Sequence, residues 1–239
     1  LTILSALQSA AVRLIGRKPT TFFGAQGKFE LELADLVNEV AADVQKYHDW
    51  QALVRVAVIT GDGTSTDFPL PDGYDRMLVK TDLQDTQYWP WGYYPYQDIN
   101  SFLFDEARNF QPYPGGWIIY NNRVRFVPAP FSAAEATFPY ITSSAVRDTS
   151  TGAMKASFTA DTDEWLLPER LLTLGLVWRW RENKGLATAD QEAFTKALDE
   201  YAGKDAGSII LRRNGYATAG LRTHTAWPYS LGGNGYQIV

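Results

Sequence analysis

The stretch Tyr47–Leu53 sets one of only two histidines beside an aspartate and a tryptophan, His48-Asp49-Trp50. A histidine oriented by a carboxylate is the base half of a nucleophilic triad, provided that a nucleophile lies within hydrogen-bond reach. The chain has no cysteine and no G-x-S-x-G elbow. Neighbours i and i+1 on a helix project to different faces, so adjacency alone does not supply the geometry. The reading that fits is a helix end, where a histidine is favourable and Trp50 plugs the junction to the next segment. Asp161, Asp163 and Glu164 are the second candidates, as paired carboxylates or metal ligands. They lack the central glycine and terminal glutamate of a calcium loop. Carboxylates at the start of a helix are explained by capping and by the helix dipole. Gly61–Thr66, GDGTST, lacks the lysine of a phosphate loop and reads as a turn. No catalytic residue, metal ligand or cofactor is assigned.

A third group could bind rather than react. Tyr88–Tyr96, YWPWGYYPY, offers Trp89, Trp91, Tyr93, Tyr94 and Tyr96 as a stacking platform or interface anchors. Nucleic-acid stacking normally comes with a basic groove, and no Lys or Arg occurs between Lys80 and Arg108. The stretch therefore reads as a tail-facing or interface patch, or as core. The formal charge of −5 makes the chain a poor general binder of phosphate backbones.

These residues need elements to hold them. Leu4, Leu7, Ala11 and Leu14 form one apolar stripe of a first helix, ended by Gly16 and Pro19. Phe29, Leu33, Leu36, Val40, Val44 and Tyr47 form the stripe of a second, expected from Lys28 to Trp50. From Val54 the texture is β-branched, then rich in Pro, Gly and aromatics. Asn121-Asn122 can take the positive φ angles of a tight hairpin turn between Trp117–Tyr120 and Arg123–Val127, and ATFPYITSSAV reads as another strand. Helix returns near Asp163, with Pro168 in an early turn and Gly185 as a stop. Thr188 and Gln191 are spaced as a capping box for a last helix that carries Phe194, Leu198 and Tyr201 inward. The third helix has two stripes. One is Leu167, Leu171, Leu174 and Trp178; the other is Leu172, Leu176 and Trp180. A helix apolar on two sides needs partners on two sides, so the second stripe is expected at a subunit interface.

The expected fold is mainly α. A bundle of four helices (1–53 and 161–213) carries a β-rich insertion domain (54–160) between helices two and three, and an extended C-terminal arm follows (214–239). No apolar run reaches the ~18 residues of a membrane span, and the first twelve residues hold no Lys or Arg, so neither membrane span nor secretory signal is expected. The absence of cysteine suits a reducing cytoplasm.

The segments ILSALQSAAVRLIGRKPTTFFG, LADLVNEVAADVQKYHDWQALVR, DFPLPDGYDRM and DTDEWLLPERLLTLGLVWRWRENKGLATADQEAFTKALDE occur in one order. Together they resemble the head–tail connector, or adaptor, proteins of tailed bacteriophages. The resemblance covers the first fifty or so residues, the edge of the insert and residues 161 to 202. It implies a structural virion protein, not an enzyme, made in the host cytoplasm and placed at the virion neck. Its implied partners are further copies in a dodecameric ring, the portal protein, and a tail protein below. The resemblance further implies that genomic DNA passes through the lumen without specific binding and that no membrane is involved. Arg212, Arg213, Tyr216, Leu221, Arg222, Trp227, Tyr229, Leu231 and Tyr236 are expected to form a portal-binding arm, with the aromatics as anchors. The alternative is a carbohydrate-binding or host-recognition module built on the aromatic insert.

Overall fold

The computed structural model describes residues 2–78, 81–85, 92–108, 115–186 and 189–206. In chain order their elements are α1 (Ile3–Ile15), α2 (Lys28–Tyr47), a 3₁₀ turn (Gln51–Leu53), β1 (Val54–Thr60), β2 (Asp67–Pro69), β3 (Tyr74–Met77), β4 (Gln84–Asp85) and β5 (Tyr94–Pro95). Then come α3 (Ile99–Ala107), β6 (Gly116–Tyr120), β7 (Arg123–Val127), β8 (Glu135–Thr142), β9 (Val146–Arg147), β10 (Met154–Lys155), β11 (Glu164–Trp165), α4 (Glu169–Asn183) and α5 (Asp190–Asp205). They fall into two compact units. One draws on Leu1–Arg55, Gly73–Arg76 and Ile141–Ile209, the other on Val56–Asp72 and Met77–Tyr140.

In the first unit α4 is the central helix, packed by α1, α2 and α5. Leu171, Leu172, Leu176 and Val177 are all buried, which places apolar residues on several sides of one helix. Gly175 makes the close approach possible. A Cβ there would stand 2.4 Å from Val40 Cγ1 and 3.1 Å from Phe194 Cε2. The glycine costs helix propensity but lets α2 and α5 reach the α4 backbone. The three-stranded sheet β10-β9-β11 completes this unit, with Glu164 opposite Arg147 and Trp165 opposite Val146.

The second unit is built on a β-hairpin. Asn121 and Asn122 have φ of 51° and 59°, and they join β6 to β7 with Tyr120 opposite Arg123. That is the type I′ turn which matches strand twist. The sheet runs β2-β7-β6-β5, with β5 parallel to β6. Arg125 on β7 pairs with Asp67 on β2 at 2.6 Å and with Glu106 on α3 at 3.0 Å. Phe102 of α3 is buried, and Tyr96 meets it edge-on at 5.3 Å. Elsewhere in this unit β8 has β1 and β4 as neighbours, with Gln84 opposite Thr137 and Asp85 opposite Ala136. Pro139 in β8 accepts a hydrogen bond from Leu78 N but has no N–H to return; the Leu78 carbonyl accepts from Thr81 Oγ1 at 2.6 Å instead.

The expected mainly α four-helix architecture is corrected. Of the described residues 40% are helical and 23% lie in strands, with five helices and three sheets, so the chain is a mixed α/β protein. Two features account for the difference. The segment read as β-rich contains a helix, α3, capped by Asp98, whose Oδ1 accepts from Ser101 N at 2.8 Å. Strands β9 to β11 add a sheet beside the helices, in pieces of two residues that carry no periodicity. Three helix ends also move. Helix α2 stops at Tyr47, because His48 is extended. Helix α4 starts at Glu169 with Pro168 as its N-cap, since Glu164 and Trp165 are in a strand. Helix α5 starts at Asp190 after Ala189, and Thr188 of the expected capping box lies outside the described residues.

Gly175→Ala is expected to destabilise the chain by about 1–2 kcal/mol despite a propensity gain of about 1 kcal/mol, because Val40 is β-branched and cannot swing away. Urea denaturation of Gly175→Ala alone and combined with Val40→Ala measures this. The clash account requires the pair to cost less than the sum of the two single changes.

Candidate functional site

The end of α2 is where the candidate triad would have to form. Its members instead take separate partners. Arg76 grips Asp49 Oδ1 through Nε at 3.0 Å and Nη2 at 2.8 Å, and Nη2 also donates to the His48 carbonyl at 3.3 Å. His48 Nε2 lies 3.5 Å from Asp205 Oδ2. The same carboxylate accepts from Gln51 N at 2.8 Å, capping the 3₁₀ turn against the last turn of α5. Tyr47 donates to Asp199 of α5. Trp50 is only 2% exposed, its indole N–H donates to the Val44 carbonyl at 2.7 Å, and His48 meets its ring edge-on at 5.2 Å. The stretch is a clasp that closes α2 onto α5 and Arg76. Asp205 and Arg76 were not identified from the sequence. They lie 154 and 27 residues from their partners, and local spacing carries no signal over that separation.

The carboxylates at 161–164 are equally occupied. Asp161 accepts from Thr21 Oγ1 at 2.5 Å, from Phe22 N at 3.1 Å and from Phe23 N at 3.2 Å, pinning the link between α1 and α2. Asp163 is 1% exposed and accepts from Lys155 Nζ at 2.7 Å, Thr159 N at 2.8 Å and Ala160 N at 3.0 Å. Burial pushes its carboxyl up, but Lys155 and the two amides outweigh burial and hold it below the usual carboxylate range. Glu164 faces Arg147 at 3.9 Å. The main chain of this segment also caps a helix, though not the one expected. The Asp163 and Asp161 carbonyls accept from Ile3 N at 2.8 Å and Leu4 N at 3.3 Å at the start of α1. Among the described residues no group of His, Asp and Glu is arranged to hold a metal ion.

Of the aromatic stretch, Tyr93 and Tyr96 face inward. Their hydroxyls donate to Asp85 at 3.0 Å and Asp105 at 2.7 Å, and burial together with these carboxylates raises both phenol pKa values. Tyr94 is 53% exposed. Trp89 and Trp91 lie outside the described residues, as do Arg212, Arg213, Tyr216, Leu221, Arg222, Trp227, Tyr229, Leu231 and Tyr236 of the expected arm. Leu172 and Leu176 are fully buried within the chain's own helices. In the single chain they are therefore core, whereas the sequence reading expected them at a subunit interface. Trp180 is half-buried, donates to Glu32 at 3.1 Å and packs edge-on against Phe29 at 5.8 Å.

His48, Asp49, Asp161, Asp163, Tyr93 and Tyr96 are each engaged in contacts that hold the fold. The comparison with protein families agrees with that character. A family described as SU10 adaptor protein matches residues 2–219. The chain belongs to this family. It is a phage head–tail adaptor protein, a structural component of the virion. Membership points to assembly rather than catalysis. No curated protein matches the adaptor's sequence. None of its described helices is long and apolar enough to cross a membrane.

Two outcomes follow from the adaptor's clasp and its carboxylates. Trp50→Ala should cost ~3–5 kcal/mol, as for large buried aromatics, and His48→Ala much less; chemical denaturation of both variants ranks them. Asp163 has a folded-state pKa below its unfolded value. Its contribution is therefore present above pH ~4 and fades as pH falls through the lower, folded value. Asp163→Asn should destabilise strongly at pH 7 and progressively less toward acid. An equal loss at both pH values would show that the carboxylate's charge is not what Lys155 and the amides hold.

Proposed function

We propose that this adaptor forms a head-to-tail ring that docks on the portal, extends the DNA channel and gives the tail a place to attach. The observation that carries the reading is the extent of the family match, which runs through residues 2–219 and so takes in both units. The net charge of −5 supports a conduit through which DNA passes without being held. A wall of that sign repels phosphates, whereas a basic lumen would retain them. Twelve copies are the number expected from the sequence resemblance. The residues from Arg212 to Tyr236 are proposed to bind the portal, with Trp227 and Tyr229 as anchors and the arginines meeting acidic groups.

Electron microscopy of the purified protein, with and without portal, tests the ring. Rings on portal are expected. A chain truncated after Arg213 tests the arm. It should keep the far-ultraviolet helical signal of the full chain and fail to bind portal, and full-chain binding should weaken with salt. Normal portal binding by the truncated chain would remove the arm from the proposal.

A further inference from the structure

A pocket of about 150 Å³ lies in the first unit, where the first turns of α1 and α4 meet the end of β11. Its apolar walls are Ile3 and Ala6 of α1, Leu172 of α4 and Leu167 just before that helix, and all four are buried. Two polar side chains of opposite character share the lining. Trp165 is 8% exposed, and its indole N–H has no acceptor among the described residues. Glu169, the first residue of α4, is half-buried, and its carboxylate has no ion pair among the described residues.

The unpartnered indole is out of keeping with the rest of this unit. Its other deeply buried indole, Trp50, donates to the Val44 carbonyl at 2.7 Å. Burial takes water from an N–H, and without an acceptor that loss is not offset. Phe158, whose ring stands 5.5 Å from the Trp165 ring, brings no lone pair to it. The acceptor must therefore come from outside the chain's own side chains, and the pocket that Trp165 lines is the space from which it can come. Size limits the occupant, since an apolar cavity of about 150 Å³ holds one benzene molecule. Chemistry limits it further. The aliphatic walls select an apolar body, the indole N–H selects a carbonyl oxygen, and the Glu169 carboxylate selects a donor and rejects a second negative charge. A small aliphatic carboxamide has all three parts and no charge.

We propose that this pocket binds one small aliphatic carboxamide, its carbonyl accepting from Trp165 and its amide N–H donating to Glu169. The inference stands apart from the ring reading and does not depend on it.

Three probes of one size and shape test it on the full chain: isobutyramide, 3-methyl-2-butanone and isobutyrate. The first carries the carbonyl and the donor, the second the carbonyl alone, and the third a carboxylate. Nuclear magnetic resonance of the indole N–H protons reads the contact at Trp165, whose signal is the one missing from Trp165→Phe. Isobutyramide should shift that signal saturably. The ketone should bind about ten-fold more weakly, for want of the charge-assisted bond to Glu169. Isobutyrate should give no saturable shift at pH 7, and Glu169→Gln should allow it to bind. If Trp165→Phe does not fold, Glu169→Gln with the three probes decides. No saturable shift with isobutyramide, or equal binding of all three probes, would overturn the site. A Trp165 N–H that keeps its cross-peak to water at saturating isobutyramide would show an ordered water as its acceptor and overturn the proposal too. A polypeptide segment carries the same amide chemistry, so saturation-transfer measurements on the chain assembled on portal separate the two sources. Isobutyramide should still bind there; its exclusion on assembly would give the pocket to a protein segment and overturn a small-molecule site.

Discussion

A carboxylate taken out of water must be met by donors, and in the first unit Asp163 imposes that condition on everything around it. Lys155 and the amides of Thr159 and Ala160 satisfy it, which fixes the loop between β10 and β11. With the loop fixed, the neighbouring carbonyls stand where the first turn of α1 needs acceptors, and Asp161 reaches the link that leads to α2. One charged group thus sets the start of α1, the approach of α2 and, through β11, the entry to α4. Removing a donor would leave a buried charge uncompensated, which is far more costly than the pair is stabilising.

The helices were legible because each repeats an apolar residue every three or four positions. Lys28 and Ile15 follow from such stripes and from Gly16, which takes φ of 69° as the C-cap of α1. The Asn121-Asn122 turn was legible for a similar reason, since few residue pairs accept two positive φ angles. The strands of two residues were not legible, because β9 and β11 exist only where Val146 and Arg147 find Trp165 and Glu164 across a long excursion of chain. Helix α3 was missed although Asp98 and Ser101 stand at cap spacing; the surrounding aromatics and prolines masked a helix of only nine residues.

At the candidate sites the sequence separated reactive from structural roles better than it assigned partners. His48 and Asp49 were read as a helix end because adjacency gives the wrong geometry, and the structure shows each turned to a different residue. Arg76 and Asp205 could not be named, because tertiary contacts decide them. The two stripes of α4 were both visible, but the number of covering helices was not. Three pack against α4, so Leu172 and Leu176 find partners inside the chain.

The first unit is assembled from separated stretches, and that has a consequence for biosynthesis. Helices α1 and α2 leave the ribosome early, yet α4, the helix both pack against, begins only at Glu169. At ordinary translation rates the delay from Tyr47 is on the order of ten seconds. For that interval the stripe Leu33, Leu36, Val37, Val40 and Val44 has no permanent cover. Every residue of the second unit described above is synthesised within the same interval. It can therefore finish folding while the helices wait, and the nascent chain is most exposed to aggregation or chaperone capture before α4 emerges.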